Sequence, residues 1–251
     1  MKNQHNNSRM PARLDLAQSL TGLALALFMA FHLLFDASIL LGAPAFDWVS
    51  GALEGEPLFG YRIPVLVTIA ALAIFVLFIT HALLAMRKFP SNFRQYREIR
   101  QHARSMRHSD TSIWLVQAYT GFAMFFLGSV HLWIVMTQPE TIGAWGSAHR
   151  ILDQWMWVLY VLLLLAVVFH AGFGMYRLAV KWGWFIGADP DRGRKRLRNI
   201  AWVIIVFYTV LGLASLGAFI KIGLDGEDHL GNPVERPDYL VSSLKAEGDL
   251  T

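Results

Sequence analysis

The chain has 251 residues, of which 55% are hydrophobic and 16% are charged, with a net charge of +4. A soluble domain carries roughly 25% charged residues, so this composition excludes an ordinary soluble protein and favours an integral membrane protein. Cysteine is absent, which excludes disulfides, thiolate-bound zinc or iron–sulfur clusters, and covalent c-type haem on this chain.

Five long apolar runs follow one another along the chain. The second, residues 63–86, contains no charged residue, and a helix of that length rises about 36 Å, enough to cross a hydrocarbon core of roughly 30 Å. The pattern predicts an all-α fold, a bundle of five transmembrane helices, with no internal repeat. The predicted spans are residues 20–41, 63–86, 113–136, 155–180 and 200–220. The predicted segments are an N-terminal segment (1–18), a transmembrane domain (19–221) and a polar C-terminal tail (222–251).

The positive charges alternate between the two predicted sides of the membrane. Of the 22 lysines and arginines, 17 fall in the N-terminal segment, in the loop after the second span and in the segment between the fourth and fifth spans. Basic loops stay in the cytoplasm, so the sequence predicts a cytoplasmic N-terminus and a C-terminus outside. A generic topology signal explains these basic loops, although they also suit docking of a soluble partner.

Four histidines lie inside the apolar runs, one on each of the first four spans: His32, His81, His131 and His170. Along their helices they lie about 18, 27, 27 and 22 Å from the span starts. With alternating helix directions, His32 and His131 fall in the outer half, and His81 and His170 fall in the inner half. The sequence therefore predicts two histidine pairs at two depths.

Paired imidazoles facing each other across a bundle suit bis-histidine haem, a six-coordinate iron centre used for electron transfer. A lone membrane histidine is more often a hydrogen-bonded packing residue. Isolated imidazoles also serve proton relays or bind other transition metals. Glycine- and phenylalanine-rich surroundings favour a porphyrin face over those alternatives.

Several long stretches resemble a known family, the dihaem cytochrome b membrane anchors of quinol:fumarate reductases within the succinate:quinone oxidoreductases. The resemblance covers roughly residues 9–222. Its strongest stretches are SRMPARLDLAQSLTG, HALLAMRKFPSNFRQY, MRHSDTSIWLVQAYTGFAMFFLGSVHLW, MTQPETIG and YRLAVKWGWF.

The resemblance implies a residue set for each cofactor and for the substrate. His32 and His131 are expected to hold a distal haem b, and His81 and His170 a proximal one. Glu54 matches the carboxylate that assists menaquinol oxidation near the distal haem, where a general base is required, and Glu56 is a close competitor. Residues expected to help hold the haems, chiefly through the propionates, are Gln18, Ser19, Lys88, Trp114, Arg150, Tyr160 and Lys181. Interfacial snorkelling or topology is the alternative role for the basic residues among these.

One position departs from the family pattern. Close relatives carry a glutamate two residues before the fourth haem-ligating histidine, linked to a proton route through the membrane. Here that residue is Val168, which cannot carry a proton. We expect turnover to build a transmembrane voltage.

The resemblance implies a bacterial inner-membrane electron-transfer subunit of menaquinol:fumarate reductase. An iron–sulfur subunit and a flavoprotein subunit with FAD are the expected partners, membrane lipid surrounds the chain, no nucleic acid is bound, and a dimer of heterotrimers is compatible. Succinate oxidation with menaquinone reduction is the reverse alternative. A histidine-relay proton channel or transporter is an alternative of a different class, and the cytochrome b of a hydrogenase or dehydrogenase is a further one.

Overall fold

The computed structural model describes residues 9–89, 92–95, 97–98, 101 and 109–235. Parts of three predicted features lie outside these residues: positions 1–8 of the N-terminal segment, Arg100, Arg104 and Arg107 of the basic loop, and positions 236–251 of the C-terminal tail. The described part is helical, and its β-structure is one isolated bridge between Glu227 and Pro233. The all-α prediction is confirmed.

Eight α-helices have defined bounds in the described part of the chain. They are α1 (Met10–Asp36), α2 (Ala43–Leu53), α3 (Glu56–Phe59), α4 (Val65–Met86), α5 (Ser109–Thr137), α6 (Ala144–Leu152), α7 (Trp157–Trp182) and α8 (Pro190–Asp225). Short 3₁₀ turns at Ala37–Leu41 and Pro139–Thr141 follow α1 and α5. Five helices, α1, α4, α5, α7 and α8, are long and apolar enough to cross a membrane, as the sequence predicts.

The first and last long helices begin about ten residues before their apolar runs. At α8, the Asp189 side chain accepts hydrogen bonds from the backbone N–H groups of Asp191 and Arg192, and Pro190 occupies the first turn. This cap satisfies amides that have no partner within the helix. At α1, Pro11 takes the same early position. The predicted starts at 20 and 200 are therefore wrong, because hydropathy registers the membrane-embedded part of a helix and not its polar first turns.

Four of the long helices form a closed ring. Helix α1 packs against α4, α4 against α5, α5 against α7, and α7 back against α1, while α8 lies against the outer side of α7. Small residues permit the close approach of α7 and α8: a Cβ on Gly172 would lie 2.5 Å from Ile205. The ring leaves its centre available for groups that project inward from all four helices.

One end of the ring is covered by helices that hydropathy does not reveal. Helices α2 and α6 pack with α8 around a buried cluster that includes Ile39, Phe46 and Phe219. The Asp47 carboxylate accepts from the Ala144 N–H at the start of α6 (2.8 Å), and the buried Asp228 carboxylate accepts from the Ala43 N–H at the start of α2 (3.1 Å). These contacts fix the covering helices over that end.

Candidate functional site

The four membrane histidines meet in two pairs, and each pair spans a diagonal of the ring. His32 on α1 faces His131 on α5 with ring centroids 6.0 Å apart. His81 on α4 faces His170 on α7 with centroids 6.5 Å apart. Each of the four ring helices thus contributes one imidazole to the interior.

Both separations fit two imidazoles on one metal ion. With metal–nitrogen bonds of about 2 Å and ring bonds of roughly 1.3–1.4 Å, two opposed imidazoles have centroids about 6 Å apart. Two imidazoles facing each other in this way could hold the iron of a haem, which would supply one-electron transfer there. The spacing therefore matches the bis-histidine arrangement expected from the sequence.

A cavity of about 620 Å³ surrounds the His81–His170 pair. Its walls combine glycine and aromatic side chains, including Gly121, Phe122 and Phe125, with cations at one end, Lys88 and Lys181. This size lies within the range of cofactor sites, which are mostly apolar with a few well-placed polar groups. The lining fits a flat apolar ligand with anionic substituents.

The cations at this end of the cavity converge on one carboxylate. We call this end the basic end of the bundle. Asp15 lies 2.5 Å from Lys88 Nζ, 2.7 Å from Lys181 Nζ and 3.3 Å from an Arg87 nitrogen. Lys181 also donates to Ser19 Oγ (3.1 Å). Sequence reasoning singled out the two lysines and Ser19 but missed Asp15, which a helical spacing of four residues from Ser19 would have placed on the same face.

The Nδ1 atoms of the basic-end pair, His81 and His170, are both held by a neighbouring helix. His170 Nδ1 donates to the Gln117 carbonyl (2.9 Å) and lies 3.4 Å from Thr120 Oγ1. His81 Nδ1 lies 3.1 Å from Thr21 Oγ1 and also bonds to the Gln18 backbone. Because a carbonyl only accepts, Nδ1 carries the proton, and Nε2 keeps its lone pair for a metal.

The other pair, His32 and His131, lies towards the end that carries the buried acids Glu54 and Asp228, and we call it the acidic-end pair. His32 stacks on Phe28 (5.5 Å), and its Nε2 lies 3.5 Å from an Asp36 carboxylate oxygen. His131 meets the Tyr160 ring edge-on at 5.6 Å. Unlike the basic-end imidazoles, the Nδ1 atom of His131 is buried without a hydrogen-bond partner.

Three buried side-chain polar atoms have no hydrogen-bond partner in the described part of the chain: Gln18 Oε1, His131 Nδ1 and Arg150 Nε. Buried polar groups are rarely unsatisfied in native proteins, so each calls for a partner of another kind. All three belong to residues that the family resemblance implies in haem binding. Their positions fit a polar-edged cofactor at both histidine pairs.

The other predicted haem-binding residues lie in the surrounding shell. Arg150 is buried and donates to Thr141, through the carbonyl oxygen at 3.1 Å and through Oγ1. Trp114 packs against Phe89 with centroids 6.4 Å apart, and Phe89 itself lines the cavity. Trp114 is therefore behind the cavity wall.

Glu54 and Glu56 differ sharply in exposure. Glu54 is only 2% exposed, whereas the Glu56 side chain is 47% exposed. Arg62 lies between them, 3.5 Å from Glu54 Oε2 and 2.9 Å from Glu56 Oε2, and also donates to the Asp47 carbonyl. Burial raises the pKa of Glu54, Arg62 opposes that rise, and Glu56 adds to it.

Two short sequence motifs occur twice in the chain, although they do not form an internal repeat of fixed period. Helices α1 and α5 share the motif Q-x-x-T-G with a His ten residues after the glycine, at 18–32 and at 117–131. Helices α4 and α7 share His-Ala with Met five residues after the His, at 81–86 and at 170–175. Hydropathy hides these motifs because their members are few and scattered among apolar residues, but the identical spacing would have indicated Thr21 and Thr120.

Comparison with known proteins agrees with this architecture. Residues 94–213 match the family described as succinate dehydrogenase/fumarate reductase transmembrane subunit. The chain is 51% identical over 225 residues to the fumarate reductase cytochrome b subunit of Wolinella succinogenes, covering 90% of this chain and 88% of that one. It is 46% identical over 218 residues to the fumarate reductase cytochrome b subunit of Helicobacter pylori, covering 87% and 84%. The chain therefore belongs to the family of fumarate reductase cytochrome b subunits, and it is a transmembrane, haem b-binding subunit of an enzyme complex.

Proposed function

We propose that this subunit oxidises menaquinol at its acidic end and delivers the electrons at its basic end to an iron–sulfur subunit, for fumarate reduction to succinate on a flavoprotein subunit. Two haems b are assigned, one to His32 and His131 and one to His81 and His170. When bound, haem b supplies reversible one-electron transfer between six-coordinate states. The observation that carries the proposal is the presence of two diagonal imidazole pairs with centroids 6.0 and 6.5 Å apart.

The side chains around each pair have distinct tasks in this proposal. Lys88 and Lys181 turn from Asp15 towards haem propionates, with Gln18 and Ser19 beside them, because carboxylates at an apolar cavity rim need cationic or hydrogen-bonding partners. Near His131, Arg150 offers its unpaired Nε–H and Tyr160 its hydroxyl. Trp114 supports the wall through Phe89.

Glu54 is the proposed proton acceptor for menaquinol. Oxidation of a quinol releases protons with its electrons, so a base within reach is required. The raised pKa of Glu54, caused by burial, makes it a stronger base than an exposed carboxylate. Glu56 already pairs with Arg62 in an exposed position and is better suited to receiving the proton on its way to solvent.

The middle of α7 supports the expectation about proton movement. Val168 is buried in the apolar cluster between α7 and α8, with Ala201 and Ile205, and offers no proton-carrying group there. We expect menaquinol-driven fumarate reduction in proteoliposomes to generate a transmembrane voltage. A strictly electroneutral turnover, measured with a potential-sensitive dye, would contradict this expectation.

The decisive test uses the intact complex purified from the native membrane. We expect a red protein with two haems b per copy of this chain, both reduced by a menaquinol analogue and both reoxidised on addition of fumarate. A colourless protein would favour the proton-channel alternative. Haems that are reduced by succinate but never reoxidised by fumarate would indicate the reverse reaction.

A further inference from the structure

We propose that the two Q-x-x-T-G segments, residues 18–22 and 117–121, are matched clips that fix the imidazole orientation of the basic-end pair and thereby retain a single haem. Thr21 and Thr120 are positioning residues in this scheme. The proposal rests on the assignment of His81 and His170 as haem ligands.

The two segments make the same contacts with different partners. The hydroxyl of Thr21 donates to the Ala17 carbonyl (2.8 Å), and that of Thr120 donates to the Val116 carbonyl (2.7 Å). With its proton committed, each hydroxyl has only lone pairs left for the imidazole Nδ1–H. The backbone of the glutamine three residues earlier provides the second acceptor in both cases.

The glycine that follows each threonine allows the ring to approach. A Cβ on Gly22 would lie 2.8 Å from His81 Cε1, and a Cβ on Gly121 would lie 3.0 Å from His170 Cε1. Ordinary side-chain contacts are longer than either distance. Glycine thus brings the helix backbone against the flank of the imidazole, and threonine holds its Nδ1.

The spacing of the motif links this clip to the other histidine pair. Each threonine precedes the membrane histidine of its own helix by 11 residues, which is about three turns, so both side chains lie on one helix face about 16 Å apart. Helices α1 and α5 therefore each hold one basic-end imidazole and supply one acidic-end imidazole. The acidic-end pair has no equivalent clip in the described part of the chain, where His131 Nδ1 is unpartnered.

A fixed Nδ1–H bond orients a ligating imidazole and raises its basicity, and loss of such a partner typically lowers metal affinity about 10- to 100-fold. We expect Thr21→Val and Thr120→Val each to speed transfer of one of the two haems to an excess of a haem-scavenging protein about tenfold. Redox titration should show a raised midpoint potential for that same haem, because a less basic ligand stabilises the ferric state less. Both substitutions should act on the same haem, and the double variant should increase its transfer rate by the product of the two single increases.

Three further variants make the test specific. Thr21→Ser and Thr120→Ser keep the hydroxyl and should restore wild-type retention, which also separates the clip from misfolding. Thr209→Val removes an identical hydroxyl bond to a carbonyl four residues earlier, on α8 away from the histidines, and should change nothing. Valine variants that match Thr209→Val in both measurements, or that affect different haems, would overturn the clip.

The assignment beneath the clip has its own readout. His81→Ala and His170→Ala should remove the same haem from the spectrum. If they remove different haems or none, the haem assignment fails independently of the threonine variants.

Discussion

Each end of the bundle brings two imidazoles together, with ring centroids 6.0 and 6.5 Å apart, but in opposite electrostatic surroundings. At the basic end, both rings are held through Nδ1 by a neighbouring helix, and lysines and an arginine surround Asp15. At the acidic end, His32 lies beside a carboxylate, His131 Nδ1 is unpaired, and buried acids follow α2 and α8. The first arrangement suits a permanently held cofactor that exchanges only electrons, whereas the second provides groups that take up protons.

The largest effect expected from this comparison is the loss of one haem. His170→Ala should lower the haem content from two to about one per chain and weaken assembly of the complex, because it removes one of the two imidazoles that would hold that haem. His32→Ala should remove the other haem and keep the one that His170→Ala removes. Haem extraction and reduced-minus-oxidised spectra measure both.

His149→Ala provides the control. His149 lies on α6, outside the long helices, and is paired with Asp153. It should retain both haems. If His170→Ala and His32→Ala lost the same haem, the division of the bundle into two ends would be wrong.

The next effect concerns the proton chemistry proposed for the acidic end. Glu54→Gln should keep both haems and lower menaquinol oxidation at least about 100-fold, within the range that general base catalysis contributes. Glu56→Gln should retain most of the activity. Full activity in Glu54→Gln would transfer the role of base to Glu56 or another group.

The pH dependence of quinol oxidation sharpens the same assignment. A base works when deprotonated, so activity should fall as the pH drops through the raised pKa of Glu54. Arg62 lowers that pKa and Glu56 raises it, so Arg62→Gln should move the acid limb to higher pH and Glu56→Gln to lower pH. Shifts in the same direction would show that another group controls the limb.

A moderate loss of stability is expected from a substitution in the loop that follows α8 at the acidic end. Asp228 is fully buried and accepts hydrogen bonds from Ala43, Leu230 and Asn232. Asp228→Ala should lower the free energy of unfolding by about 2–4 kcal/mol, because it leaves several buried donors unpaired. Thermal unfolding in detergent measures the change, and His229→Ala, at an exposed neighbouring position, is the control.

The contribution of Asp228 also depends on pH. Burial raises the pKa of Asp228, but the bonds from Asn232, Ala43 and Leu230 together outweigh it and hold that pKa at about 2. The stabilisation is therefore complete above the ordinary carboxyl pKa and is lost as the pH falls towards 2. An Asp228→Ala protein with unchanged stability at neutral pH would remove this loop from the support of the acidic end.

The smallest effect is expected at the basic end, where Asp15 lies between cations. Asp15→Asn should raise the midpoint potential of one haem by roughly 40 mV or less, equivalent to about 1 kcal/mol, because lysines and solvent screen the charge. Glu98→Gln removes one exposed negative charge, paired with Arg94, and serves as the control. Equal shifts in the midpoint potentials of both haems in Asp15→Asn would indicate a long-range electrostatic effect and not a local contact.

Features that depend on the membrane as solvent could be predicted from the amino-acid sequence. Apolar runs must become helices there, since backbone groups find no water, and a histidine within such a run is costly enough to indicate a cofactor or proton role. Five spans and the residue type of the site followed from these facts. The polar starts of α1 and α8 did not, because Pro11 in α1 and the Asp189 cap with Pro190 in α8 contribute no hydropathy signal.

The close contacts within the site required the three-dimensional fold. Depth along the helices already predicts the two histidine pairs, but their centroid distances of 6.0 and 6.5 Å come from the order of helices in the ring. The role of Thr21 and Thr120 comes from contacts between residues that are 60 and 50 positions apart in the chain. The burial of Glu54 against the exposure of Glu56 depends on how α2 and α3 fold back beside Arg62. Contacts of this kind join distant parts of the chain. The local sequence pattern contains no information about the distances between such residues in space.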